Sequence, residues 1–91
     1  MKIVFKDAFI DRFETQMEYI ARDNLSAARR FKTDLFVRIR KIPENLFLYR
    51  KSIYFNDTSI RDLIFKGYTV VFRINKSQIE IFGFVNFQEK P

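Results

Sequence analysis

Chemistry in this 91-residue chain falls to carboxylates, tyrosines, lysines and arginines, because the sequence contains neither His nor Cys. Every Ser-His-Asp or Cys-His nucleophile, every imidazole base and every zinc finger is thereby removed. The glycines stand at Gly67 and Gly83 and nowhere else. Neither the Walker phosphate loop nor the dinucleotide fingerprint can be built from them. No cofactor and no metal is expected. No disulfide can form, which fits a reducing compartment.

Charge is the next guide to partners. The net charge is +6, and it is unevenly spread. Residues 7–22 carry Asp7, Asp11, Glu14 and Glu18 against Arg12 and Arg22, a net of −2. Residues 24–42 carry Arg29, Arg30, Lys32, Arg38, Arg40 and Lys41 against Asp34, a net of +5. A surface of this kind attracts polyanions or acidic proteins without naming either. No apolar run approaches the ~20 residues that span a bilayer, so no membrane association is expected. Asp7 interrupts the N-terminal apolar run too early for a signal peptide. A small cytoplasmic protein of one domain, residues 1–91, is the expectation.

The elements that must position these side chains follow from the apolar period. Residues Lys2–Phe5 read as a short strand, and Asp7 as a helix N-cap. Phe9, Ile10, Phe13, Met17, Ile20 and Ala21 then recur at three- and four-residue spacing, one stripe of an amphipathic helix. Asp23-Asn24 breaks it, and Asn24 caps a second helix. There Ala28, Phe31, Leu35, Ile39 and Ile42 keep the same spacing until Pro43. A two- or three-residue link predicts an antiparallel helical hairpin. The acidic first helix then neighbours the basic second, answering part of the +6 internally, with most of the charges forming a solvated face.

Residues 44–58 lack a clean period and read as a loop with a short helical or extended piece. Beyond them the period becomes two. Ile60–Phe65 and Tyr68–Ile74 flank Lys66-Gly67, a two-residue hairpin turn, and Gln78–Phe87 forms the last strand. The fold class is therefore α+β: strand, helix, helix, then a three-stranded antiparallel meander, with the helical hairpin on one face of the sheet.

The hairpin register can be worked out from the turn. Phe65 opposes Tyr68, Leu63 opposes Val70 and Arg61 opposes Phe72 on one face. This face is apolar apart from Arg61, so it should meet the helices. Arg61 then sits at the margin of the core and needs a partner for its guanidinium. The other face pairs Ile64 with Thr69, Asp62 with Val71 and Ile60 with Arg73, and is expected to be more open. Asp62 and Arg73 are diagonal neighbours there and are expected to pair.

The stretch IRDLIFKGYTVVFRINKSQIEIF resembles the sheet of the RelE/ParE toxins of bacterial type II toxin–antitoxin modules. Arg61-Asp62-Leu63 is similar to that family's Arg-acidic-Leu motif. Tyr68 with Phe72-Arg73-Ile74 is similar to its Tyr…aromatic-Arg-Ile strand, and Ile79-Glu80-Ile81 to its final strand. Tyr19–Phe31 resembles the link between its two helices. The resemblance implies a toxin of plasmid-stabilisation type, held inactive by a cognate antitoxin.

Two branches then compete. One, RelE-like, cleaves mRNA on the ribosome; the other, ParE-like, binds DNA gyrase and carries no nuclease site. Metal-free RNA cleavage needs a base, an acid and cations around the phosphate. Arg73, Glu80, Tyr68 and Lys51 are the residues that could supply them. In the nuclease branch an Arg commonly follows the Gly-Tyr pair, where this chain has Thr69. That branch also places His, Arg or Tyr near the end of its last strand, where this chain reads Val85-Asn86-Phe87-Gln88-Glu89-Lys90-Pro91. The resemblance therefore favours the ParE-like branch and a protein that is not an enzyme, with a ribosome-dependent endonuclease as the alternative. A third reading is an inactive or repurposed member that binds only antitoxin or nucleic acid.

On the ParE-like reading, Arg61, Arg73, Tyr68, Arg50 and Lys51 are the candidate contacts to a target or partner. Most phenylalanines fall on core stripes, which argues against a base-stacking platform. Phe47, Phe55, Phe84 and Phe87 lack an obvious burial and are the candidate lining of an antitoxin groove. A disordered, acidic antitoxin segment would fold there, or add as a strand to a free sheet edge.

Overall fold

The structure, a computed structural model, describes residues 1–86. Strand β1 (Lys2–Phe5) leads into helix α1 (Asp7–Asp23), followed by helix α2 (Leu25–Arg40). Phe9 and Phe13, one turn apart, are the buried residues of α1. The N-cap is Lys6 rather than Asp7, and no side chain closes it. Instead the Lys6 carbonyl accepts from the Phe9 and Ile10 N–H groups at 3.0 and 3.1 Å. Asp7 lies inside the first turn, where its charge favours the helix macrodipole.

The link between the helices is a single residue. Asn24 ends α1 by donating its N–H to Ile20 O at 3.0 Å. Its side-chain oxygen starts α2 by accepting from Ala27 N–H at 3.0 Å. In α2 the buried residues are Ala28, Phe31, Leu35 and Ile39, one inner stripe. Beyond it come two short 3₁₀ turns, Ile42–Glu44 and Leu46–Leu48.

The sheet has five strands in the order β1-β5-β4-β3-β2. Strands β3 (Ile60–Phe65), β4 (Tyr68–Ile74) and β5 (Gln78–Asn86) are the expected meander. All six β3–β4 pairs fall in the expected register, from Ile60 opposite Arg73 to Phe65 opposite Tyr68. The turn closes because Lys66 and Gly67 take φ of 49° and 82°, the left-handed pair that a two-residue hairpin requires. Phe87, the expected end of the last strand, lies outside the described residues. Two edges complete the sheet. β1 pairs parallel to β5, and β2 (Arg50–Lys51) pairs antiparallel to β3.

Between β4 and β5 the register shifts: Val71 faces Gly83 whereas Phe72 faces Ile81, leaving Phe82 as an extra residue. This is a β-bulge. Gly83 is required there, since a Cβ would lie 2.9 Å from Val71 Cβ.

The core accounts for many of the twelve phenylalanines. Phe9 stacks with Phe13, and both meet Phe84 edge-on at 5.7 and 5.6 Å. Tyr68 stacks on Phe84 at 5.0 Å and meets Phe31 edge-on at 5.1 Å. Aromatic pairs at these separations contribute beyond the area they bury. Phe84, expected to lack burial, is thus a centre of the core at 5% exposure.

The second sheet face is open only in part: Ile64 and Arg73 are exposed, but the positions between them are covered. Ile60, Asp62, Thr69 and Val71 are all buried. Residues 52–58 form a strap against that face. Ser52 N–H donates to Ile60 O at 2.9 Å, Ile53 N–H donates to Asp62 Oδ2 at 3.1 Å, and Phe55 meets Phe82 edge-on at 5.5 Å.

Candidate functional site

The four groups considered for RNA cleavage are divided by the sheet. Arg73 and Glu80 are register partners on the strap face, with Arg73 Nη1 3.8 Å from Glu80 Oε1. Glu80 Oε2 also accepts from Gln78 Nε2 at 2.8 Å and from Asn75 Nδ2 at 3.4 Å. The Arg73 guanidinium lies 5.4 Å from the centre of the Phe82 ring. Tyr68 belongs to the opposite, helix-covered face, buried between Phe31 and Phe84. Lys51 opposes Arg61, whose position shares the helix-covered face through Phe72. Arg73 and Glu80 therefore meet without Tyr68 or Lys51. Proton transfer to a common substrate needs groups within hydrogen-bond reach of it, and a sheet stands between these pairs.

The partner expected for Arg73 is taken elsewhere. Asp62 accepts from Arg50, with Nε and Nη2 each 3.1 Å from Oδ2. Arg50 stands directly opposite Asp62 in the β2–β3 ladder, whereas Arg73 is only diagonal to it. Strand β2 lies in a segment with no apolar period, so nothing in the pattern marks the nearer cation.

Arg61 has the partner its position demands. Its Nε donates to Thr58 O at 3.0 Å and its Nη1 to Tyr49 O at 3.1 Å. It thereby ties both ends of the 49–58 segment to β3. The far end of that segment is pinned by Asp57, whose Oδ1 accepts the Ser59 hydroxyl at 2.7 Å and the Ser59 N–H at 2.9 Å. These bonds hold the Asp57 carboxyl below its usual value of 3.8, the hydroxyl being the larger cause.

Of the described residues expected to line one groove, Phe55 and Phe84 border one cavity, whereas Phe47 stands at another. Phe47 projects at 90% exposure, beside a cavity of about 250 Å³ lined by Leu46, Thr58, Ser59, Arg61 and Ile74. Phe55 lines a different cavity of about 280 Å³ with Phe84, Tyr54, Arg12, Phe82 and Gly83. Phe84 is buried, and so is Tyr68, which removes Tyr68 as an exposed contact to a target. Phe87 lies outside the described residues.

The structure adds what the pattern conceals. Leu48, 73% exposed, stands beside Phe47 to form an apolar ridge on the second 3₁₀ turn. The cations Lys41, Arg50 and Lys51 lie just outside it in sequence and are all exposed. The adjacent pair Phe47-Leu48 after Asn45 is the one sequence signal that could have marked it. Among the described residues no cluster of acidic side chains could hold a metal ion, and no helix is long and apolar enough to cross a membrane.

The fold is similar to that of a solved chain titled "Chromosomal ParDE TA system from P. aeruginosa". The TM-score is 0.75 at 11% identity, covering 94% of this chain and 95% of that one. At that identity the likeness shows a shared fold. No match to a curated protein was found. The family model described as the ParE toxin of the type II toxin–antitoxin system parDE matches residues 3–87. The chain belongs to the ParE toxin family.

Proposed function

We propose that this protein acts in the cytoplasm as a ParE-type toxin by docking on a protein target, DNA gyrase, and that a cognate antitoxin neutralises it. The observation that supports docking over RNA cleavage is the division of Arg73 and Glu80 from Tyr68 and Lys51 by the sheet. The Phe47–Leu48 ridge is the docking element. Two adjacent apolar side chains this exposed have no role in the core, and aromatic anchors dominate protein interfaces. The cognate antitoxin is drawn from the family, whose modules pair toxin with antitoxin.

Induction in cells with and without the neighbouring antitoxin gene tests the proposal. Growth, plasmid supercoiling and transcript integrity are scored together. The expected result is arrest with relaxed plasmid and intact transcripts, reversed by the antitoxin and lost in Phe47→Asp. Transcripts cut at ribosome-positioned codons would instead assign the chain to the nuclease branch.

A further inference from the structure

We infer that the outward face of α2 binds the phosphate backbone of a nucleic-acid duplex. The buried stripe Ala28, Phe31, Leu35 and Ile39 fixes which side of α2 faces the core. At 100° per residue, Arg29, Arg30 and Arg40, with Lys41 at the C-cap, fall on the opposite side. All four are exposed. They form two pairs, Arg29 with Arg40 and Arg30 with Lys41. Within each pair the cations stand about 17 Å apart along the axis, a span of about ten duplex charges.

The charge on this face is uncompensated. Charge patterning predicts that acidic α1 answers basic α2, yet the ion pairs among the described residues are Arg50–Asp62, Lys66–Asp34 and Arg73–Glu80. None joins α1 to α2. Asp34, the acidic residue within α2, is given to Lys66 of the hairpin turn. Glu18 of α1 lines the inter-helix groove with Arg29 and Lys32 but pairs with neither. Helix physics accounts for only half of the pattern. Cations at Arg40 and Lys41 favour the C-terminal end of the macrodipole, whereas Arg29 and Arg30 lie toward the N-terminal end and gain nothing from it.

The chemistry between the two ends selects the ligand. Thr33 and Val37 occupy the middle of the face, both exposed, and neither is aromatic. A protein partner would need an anchor there. Without Asn, Gln or Arg at that centre, base edges go unread as well. The face suits phosphates alone, contacted without sequence preference. This binding is independent of the docking proposed for the ridge.

Fluorescence anisotropy with labelled 24-base-pair DNA and RNA duplexes, from 50 to 200 mM NaCl, tests it on the purified chain. Four neutralised phosphates predict a log–log salt slope of about −3.5. Binding to either duplex supports the inference, and the tighter of the two identifies the source of the phosphates. The quadruple variant Arg29→Gln/Arg30→Gln/Arg40→Gln/Lys41→Gln should weaken binding more than tenfold and flatten the slope. Should it fail to fold, Arg29→Gln/Arg30→Gln alone should remove half of the slope. A variant losing the same charge elsewhere, Lys2→Gln/Lys6→Gln/Arg12→Gln/Lys76→Gln, should bind within threefold of the parent. Equal losses in the two quadruple variants would overturn the inference, as would no binding at 50 mM. Equal affinity for labelled poly-glutamate, lost in the same variant, would assign the face to an acidic protein instead.

Discussion

Arg50 places two nitrogens on one oxygen of Asp62, each at 3.1 Å, and the carboxylate's other oxygen is buried without a hydrogen-bond partner. Asp62 is buried, while the Arg50 side chain is 38% exposed. The pair holds the two-residue strand β2, and the Ile53 N–H on the same oxygen launches the strap. Arg50→Ala leaves a carboxylate buried with one donor in place of three. A buried acceptor losing its partners costs about 1–3 kcal/mol. Water reaching the vacated Arg50 site keeps the loss below that of a wholly buried pair. Urea denaturation should show the loss, and limited proteolysis should find residues 52–58 cut faster. Unchanged cleavage would mean that the strap is held by other contacts.

Gly83 faces Val71 across the bulge with no room for a methyl group: a Cβ at residue 83 would lie 2.9 Å from Val71 Cβ and 3.2 Å from Val71 Cγ2. Val71 Cβ is bonded directly to the backbone, so it cannot swing aside. Gly83→Ala should destabilise by about 1–3 kcal/mol, the range for overpacking. The double variant Gly83→Ala/Val71→Ala should recover much of it by removing the opposing branch. Thermal unfolding of the single and double variants decides the point; equal losses would show strain in the backbone rather than in the contact.

Most of the fold is legible in the sequence because it is carried by period and punctuation. Asn24, Pro43 and Lys66-Gly67 mark where α2 begins, where its apolar stripe ends and where the hairpin turns, and the register follows from that turn by counting. The site is less legible because its geometry depends on residues 44–58. Two 3₁₀ turns and a two-residue strand impose no period of their own. The strap they lead into buries part of a face that alternation alone marks as half polar. The burial of Phe84 is hidden for a related reason: strand β5 is flanked by α1 on the helix side, a contact between elements that no local pattern reports.

Arg61 and Arg73 separate a tie from a surface charge. Arg61 donates to two backbone carbonyls, Thr58 O and Tyr49 O. Arg73 meets one carboxylate at 3.8 Å with its side chain 45% exposed. Arg61→Ala should therefore cost about 1–2 kcal/mol, chiefly through the part-buried Tyr49 carbonyl, since water can replace the bond to the exposed Thr58 carbonyl. Arg73→Ala should cost under about 1 kcal/mol, as exposed ion pairs do. Chemical denaturation of the two variants gives the comparison. If Arg73→Ala folds normally yet abolishes growth arrest, Arg73 touches the target; if it stays toxic, its role ends at Glu80.

Thr69 stands where the nuclease branch commonly carries an arginine, and here the position is sealed. Its exposure is 0%, and its hydroxyl is buried without a hydrogen-bond partner. A buried hydroxyl without a protein partner is costly to desolvate. Thr69→Val keeps the β-branch in a central strand while removing that oxygen. It should raise stability by about 1 kcal/mol, read as a higher urea midpoint with an unchanged slope. Thr69→Arg should do the opposite, because a side chain of that size and charge has no room at a fully buried position in a central strand. Arginine at this position should therefore unfold the sheet instead of installing a phosphate clamp, and circular dichroism of the variant would show it. A well-folded Thr69→Arg protein would mean that the strap face opens far enough to admit a substrate, and would reopen the case for RNA cleavage.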